Sequence, residues 1–122
     1  MKRKILIVED DKDTARLLDV IVKSAGFESK IVNDGEEALD IIEEYHPDLV
    51  LLDLMMPKVH GFAVCKQIRD NRNYDDIKIL IVSAKSFTAD MKKAEELGAN
   101  GYLTKPFRKA ELIDEMNKLL GA

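Results

Sequence analysis

Four places in this 122-residue chain set residues that handle charge at the ends of apolar runs: Glu9-Asp10-Asp11, Asp53, Ser83 and Lys105-Pro106. Taken singly, an acid in such a place is most often a helix cap or a solvated loop residue. The combination says more. Asp53 directly closes Leu49–Leu52, so its carboxylate emerges from a buried run, close to Glu9 and Asp10 at the end of a neighbouring one. Carboxylates gathered there repel one another, and relief comes from raised pKa values, from a cation, or from the ammonium of Lys105. Hard oxygen ligands at a small open site suit Mg2+, which keeps waters and shares its shell with phosphate. The first loop, Glu9-Asp10-Asp11-Lys12-Asp13-Thr14, has four acids and no glycine. That argues against a Gly-rich cradle for a dinucleotide, a flavin phosphate or a P-loop nucleotide and in favour of metal-assisted chemistry on a phosphoryl group. A metal neutralises the transferred oxygens, Lys105 adds a second positive point, the Ser83 hydroxyl donates to a third oxygen, and Asp53 attacks phosphorus to give an acyl phosphate.

Such convergence needs a scaffold that brings the ends of separate strands to one edge. Ile5–Val8, Leu49–Leu52 and Ile79–Val82 are unbroken runs of branched residues, the pattern of strands buried on both faces. Glu28–Val32 and Gly101–Thr104 bring the expected total to five. Helical spacing of apolar residues runs through Thr14–Ala25, Gly35–Tyr45, Gly61–Arg69, Thr88–Leu97 and Arg108–Leu120. Gly26 and Gly98 stand where left-handed helix caps are wanted, and Asp34-Gly35 and His46-Pro47-Asp48 mark turns. Strand and helix alternate five times, which calls for a doubly wound α/β fold with a parallel sheet covered on both faces. Ligands of such sheets bind beyond the carboxyl ends of the strands, where the acids, the hydroxyl and the ammonium lie.

Composition narrows the function further. At 46% hydrophobic residues one domain over residues 1–122 can bury its own core. Nineteen basic against 23 acidic residues leave a charge of −4, which removes the electrostatic reason for direct nucleic-acid or membrane binding. The single cysteine, Cys65, excludes an internal disulfide and reads as a small buried apolar residue of a cytoplasmic protein. The apolar run behind the basic N-terminus is too short for an export signal.

With these residues in view, the chain resembles the receiver domains of two-component response regulators, including the single-domain chemotaxis regulators. The likeness covers essentially the whole chain. It is carried by Ile5-Leu6-Ile7-Val8-Glu9-Asp10-Asp11, Leu51-Leu52-Asp53-Leu54-Met55-Met56-Pro57, Ile81-Val82-Ser83-Ala84 and Gly101-Tyr102-Leu103-Thr104-Lys105-Pro106-Phe107. The resemblance implies a flavodoxin-like (βα)5 sandwich with strand order 2-1-3-4-5 and phosphorylation of Asp53. It implies Mg2+, with Mn2+ or Ca2+ able to substitute, held by Glu9, Asp10, Asp53 and the backbone carbonyl of Met55. It further implies a cis peptide between Lys105 and Pro106 and a switch made of Ser83 and Tyr102, which remodels the surface of the fourth helix, fifth strand and fifth helix. The implied partners are a sensor histidine kinase or phosphotransfer protein as donor and a downstream protein target. The implied assembly is a monomer or a weak phosphorylation-dependent dimer. The only catalysis expected is of the protein's own phosphoryl transfer and autodephosphorylation.

Two other readings compete. A Mg2+-dependent aspartyl phosphatase needs a second acid two residues after its nucleophile, where this chain has Met55. A phosphorylation-independent binding module would require loss of an acid or of Lys105, and none is lost. Of the residues outside the motifs, His60 stands where the family usually carries an acid and reads as a solvent-facing loop residue. The Met55-Met56 pair reads as packing, and Phe107 as an anchor for the last helix. On the first helix Leu17, Leu18, Ile21, Val22 and Ala25 are expected to face the core. Ala15, Val20 and Pro106 are expected near the surface that, by the resemblance, docks the donor's histidine-bearing helices.

Overall fold

The computed structural model describes residues 2–56 and 58–121; Met1, Ala122 and Pro57, the last residue of the third-strand motif, lie outside them. Five strands form one parallel sheet: β1 (Lys4–Val8), β2 (Glu28–Val32), β3 (Leu49–Leu52), β4 (Lys78–Ser83) and β5 (Gly101–Thr104). Their order is β2-β1-β3-β4-β5, as the resemblance implies. The helices α1 (Lys12–Ser24), α2 (Gly35–Tyr45), α3 (Gly61–Asp70), α4 (Thr88–Glu96) and α5 (Lys109–Leu120) alternate with the strands.

The unbroken apolar strands serve two cores because successive side chains point to opposite faces of the sheet. Leu6, Val8, Val50, Leu52, Ile79 and Ile81 pack with Ala38, Ile42, Val64, Ile68 and Ala94 of α2, α3 and α4. Ile5, Ile7, Leu49, Leu51, Leu80 and Val82 pack with Leu18, Ile21, Val22, Leu112 and Met116 of α1 and α5. Cys65 is fully buried in the first of these cores, and burial pushes its thiol above the usual range. Phe107 packs against the second, as expected of an anchor for α5.

Helix ends follow local chemistry. Asp11 and Asp34 cap α1 and α2 by accepting from the amides of Thr14 and Glu37. Gly26 at φ +91° and Gly98 at φ +100° occupy the left-handed conformation that the sequence reserves for glycine after α1 and α4. The expected core face of α1 needs correction: Leu17 is 53% exposed and Ala15 is buried in its stead. The buried stripe is Ala15, Leu18, Ile21 and Val22, and Leu17 lies a full residue step around the helix from it. Ala15, 3% exposed, is therefore not on the outer surface of α1, whereas Val20, 60% exposed, is, and Pro106 is exposed on the loop after β5. Met55, 53% exposed, is likewise no packing residue; only Met56 of that pair rests on the core.

The sequence reading has no counterpart for a short 3-10 turn at Arg72–Tyr74 or for what holds it. Arg69, at the end of α3, donates to the carbonyls of Tyr74, Ile77 and Gly98 at 3.0, 2.6 and 2.9 Å, and to Asn100 Oδ1 at 2.8 Å. Asn100 Oδ1 also accepts from Ile79 N–H at 2.8 Å, so one guanidinium ties α3, the 3-10 turn and the α4–β5 connection to the start of β4.

Candidate phosphoacceptor site

At the opposite edge, the carboxyl ends of β1, β3, β4 and β5 deliver the residues singled out from sequence. The parallel register sets Val8 beside Leu52, so Glu9 and Asp53 leave adjacent strands at the same level. Asp53 N–H donates to Val8 O and Glu9 N–H to Val32 O, each at 3.1 Å, which continues the ladder one residue beyond the strands. Both acids are buried, Glu9 at 1% exposure and Asp53 at 8%, while Asp10 is exposed. One carboxylate oxygen from each of Glu9, Asp10 and Asp53 lies within 4.8 Å of the others.

Lys105 reaches this cluster from the end of β5. Its Nζ is 2.6 Å from Glu9 Oε1 and 3.5 Å from Asp53 Oδ2, and the Lys105–Pro106 peptide is cis. Burial alone would draw the ammonium pKa down, but the Glu9 hydrogen bond and the Asp53 charge outweigh it and hold the group above its usual range. One ammonium does not balance three carboxylates. Burial first, and the neighbouring Asp53 carboxylate with it, push Glu9 up to about 7 against the pull of Lys105.

The shift sets a pH dependence. Between pH 4.5 and about 7 the folded protein keeps a proton on Glu9 that the unfolded chain has released. Its stabilising contribution is complete below 4.5 and is lost as pH rises through about 7. Metal-free protein is expected to lose on the order of 1–3 kcal/mol from this group between acid and alkaline conditions. Melting temperatures of the wild type and of Glu9→Gln across that interval check it: the gap between the two proteins widens with pH if the buried charge is the cause, and stays level otherwise.

Ser83 is wholly buried at the end of β4, and its Oγ accepts from Lys85 N–H at 3.2 Å. Tyr102, half-buried on the edge strand β5, donates its hydroxyl to Lys85 O at 2.8 Å. The two residues of the expected switch are therefore joined through the backbone of a third. Burial raises the Tyr102 pKa, so the phenol keeps the proton it donates.

The loop after Asp53 is fixed at both ends. Met55 N–H donates to Asp53 Oδ1 at 3.3 Å, and Gly61 N–H to Leu54 O at 3.0 Å. A Cβ on Gly61 would stand 2.6 Å from both Asp53 O and Leu54 Cα. His60 is exposed, as expected, but it also caps α3, with Nδ1 accepting from Phe62 N–H at 3.0 Å. Sequence reasoning missed two supports. Asn33 Nδ2 donates to Glu9 O at 3.2 Å, and Lys58 Nζ lies 3.4 Å from Asp34 Oδ2, pinning the loop to the start of α2. Asp34 announced itself only as a turn residue before a glycine; nothing in its spacing identified Lys58 as its partner.

The carboxylates fit a small hard cation. They offer three hard oxygen donors within 4.8 Å of one another, the ligand type that such an ion prefers, and the exposed member, Asp10, leaves room for water and phosphate.

Comparison with known proteins agrees with this geometry. Residues 5–117 match the family described as response regulator receiver domain. The chain is 38% identical over 113 residues to the DNA-binding response regulator MtrA of Mycobacterium tuberculosis, covering 93% of this chain and 48% of that one. It thus spans about half the length of the curated relatives it matches. A putative response regulator from Chloroflexus aurantiacus superposes with a TM-score of 0.95 at 32% identity, each chain covered in full. The receiver domain of the sensor histidine kinase PA1611 from Pseudomonas aeruginosa, solved with a magnesium ion coordinated in its active site cleft, gives 0.91 at 28% identity, again over both full chains.

Proposed function

The chain belongs to the response regulator receiver domain family, and from that membership we propose that residues 1–122 act as one phosphoacceptor domain of a two-component pathway in the cytoplasm, taking a phosphoryl group onto Asp53. The observation that carries the reading is the buried Asp53 carboxylate, grouped with those of Glu9 and Asp10 and faced by Lys105 Nζ at 3.5 Å.

Glu9, Asp10, Asp53 and the Met55 carbonyl would hold Mg2+, or Mn2+ or Ca2+ in its place. The ion, when bound, supplies charge neutralisation for the phosphoryl oxygens and for the crowded carboxylates. Asp53 attacks phosphorus as the bond to the donor's imidazole nitrogen breaks, and an acyl phosphate forms on its carboxylate. Lys105, already charged and aimed between Glu9 and Asp53, moves its ammonium toward the new phosphoryl group. Ser83 has its acceptor occupied by Lys85 N–H, which leaves the hydroxyl proton free to donate to a phosphoryl oxygen.

Drawing Ser83 inward pulls on the N–H of Lys85, the residue whose carbonyl accepts from the Tyr102 hydroxyl, so the change passes to the surface of α4, β5 and α5. The donor is a phosphohistidine of a sensor kinase or phosphotransfer protein, and the recipient of the signal is a protein bound at that surface. The charge of −4 favours neither direct nucleic-acid nor membrane binding, and the domain is a monomer or a weak phosphorylation-dependent dimer.

Intact mass after incubation with acetyl phosphate tests the reading. A phosphoryl adduct is expected with Mg2+ and is expected to vanish with EDTA. No adduct, together with no binding of beryllofluoride, would leave a phosphorylation-independent binding module as the function.

A further inference from the structure

Among the residues that phosphoryl chemistry leaves unused, His60 has the most specific surroundings. Its Nδ1 caps α3 through the Phe62 amide, and its ring stands beside that of Phe62, tilted by 38° with centroids 5.0 Å apart. The same Phe62 ring receives the ammonium of Lys93, from α4, 5.3 Å from its centroid. The next residue after His60 is Gly61, packed against the backbone of Asp53 and Leu54 with no room for a Cβ. The cap is one peptide away from the backbone that carries the phosphoacceptor.

An imidazole nitrogen accepts a hydrogen bond only without a proton, so this cap needs neutral His60 with its proton on Nε2. A second proton would turn Nδ1 into a donor facing a donor and place a positive charge at the positive end of α3. The charged groups around it do not compensate. Lys93 already occupies the Phe62 ring, and Lys58, two residues before His60, is paired with Asp34. Among the described residues no carboxylate lies within ion-pair distance of His60.

We propose that His60 is a positioning residue of the Asp53 site: its neutral imidazole caps α3 and holds the backbone of Asp53 and Leu54 in the receptive arrangement. This rests on the phosphoacceptor reading above. The test compares adduct formation from acetyl phosphate at saturating Mg2+ for the wild type, for His60→Ala, which removes the cap, and for His60→Asn, which supplies another. His60→Ala is expected to form adduct severalfold more slowly in its folded fraction, and His60→Asn to restore the rate. The Leu54 and Gly61 amide resonances are expected to move in His60→Ala and to return in His60→Asn. A folded His60→Ala that matches the wild-type rate, or a rate that His60→Asn fails to restore, overturns the proposal and leaves the phosphoacceptor reading standing. Absence of adduct in all three proteins overturns the two together.

Discussion

Asp53→Asn is expected to abolish the metal-dependent adduct and yet, above about pH 7 where Glu9 is ionised, to give a metal-free protein more stable than the wild type. The two effects share a cause. The substituted amide would retain an oxygen for the Met55 N–H, now 3.3 Å from Asp53 Oδ1, so the loop keeps its tether. It would also remove the like charge beside Glu9, while the Glu9–Lys105 contact at 2.6 Å survives. Two buried carboxylates a few ångströms apart cost about 1 kcal/mol or more in a partly screened interior, or about 4 °C in a domain of this size. The loss of chemistry is complete because an amide has no charged oxygen to offer phosphorus. Thermal melts with and without Mg2+, beside intact mass, check both halves. Stability should rise without metal, and the increment that Mg2+ adds should shrink. Residual adduct would mean that a second acid accepts the group, and a lower melting temperature would mean that repulsion does not dominate the pocket.

The second large effect is expected at Gly61. Its backbone angles are ordinary, so the demand for glycine is one of space. The atoms a Cβ would meet at 2.6 Å are Asp53 O and Leu54 Cα, main-chain atoms that yield only if the phosphoacceptor moves. Gly61→Ala should therefore cost about 2–4 kcal/mol of stability, and the folded fraction should form adduct at least about tenfold more slowly, because misplacement by an ångström is enough to forfeit that much. Gly26→Ala is the companion control. Its Cβ would meet nothing within 4 Å, and only its φ of +91° resists the change, so it should cost about 1–2 kcal/mol and leave the adduct rate alone. Urea denaturation and adduct time courses on the two variants separate a crowded site from a merely weakened fold. Equal adduct rates would sink the claim that Gly61 is tied to the site.

The scaffold was legible because unbroken apolar runs admit few alternatives. Ile5–Val8, Leu49–Leu52 and Ile79–Val82 could be buried on both faces only in a parallel sheet, and such a sheet gathers the residues that follow its strands. Glu9, Asp53, Ser83 and Lys105 converge for that reason. What escaped depended on partners distant along the chain. Arg69 reads as the last polar residue of a helix, and its four acceptors lie five to 31 positions away. Leu17 and Met55 are apolar residues left outside, and composition alone does not separate these from core residues. His60 as a cap was hidden because imidazole is seldom chosen for that position.

The clamp at Arg69 gives the molecule a mechanical asymmetry. The C-terminal end of α4 is bolted to the frame through Gly98 O, while its N-terminal end is preceded by Phe87, which is 73% exposed and offers no side-chain cap. Only Ala94 of α4 is buried. Such a helix is a lever with its pivot far from the phosphoacceptor and its free arm near it. Nine residues make an arm of about 13 Å, so a swing of about 10° carries Phe87 through about 2 Å while Gly98 stays in place. Under the proposed function, small changes at the Ser83–Lys85–Tyr102 linkage would thus enter on the long side of the lever, and the surface they would displace most is the N-terminal end of α4, which follows β4.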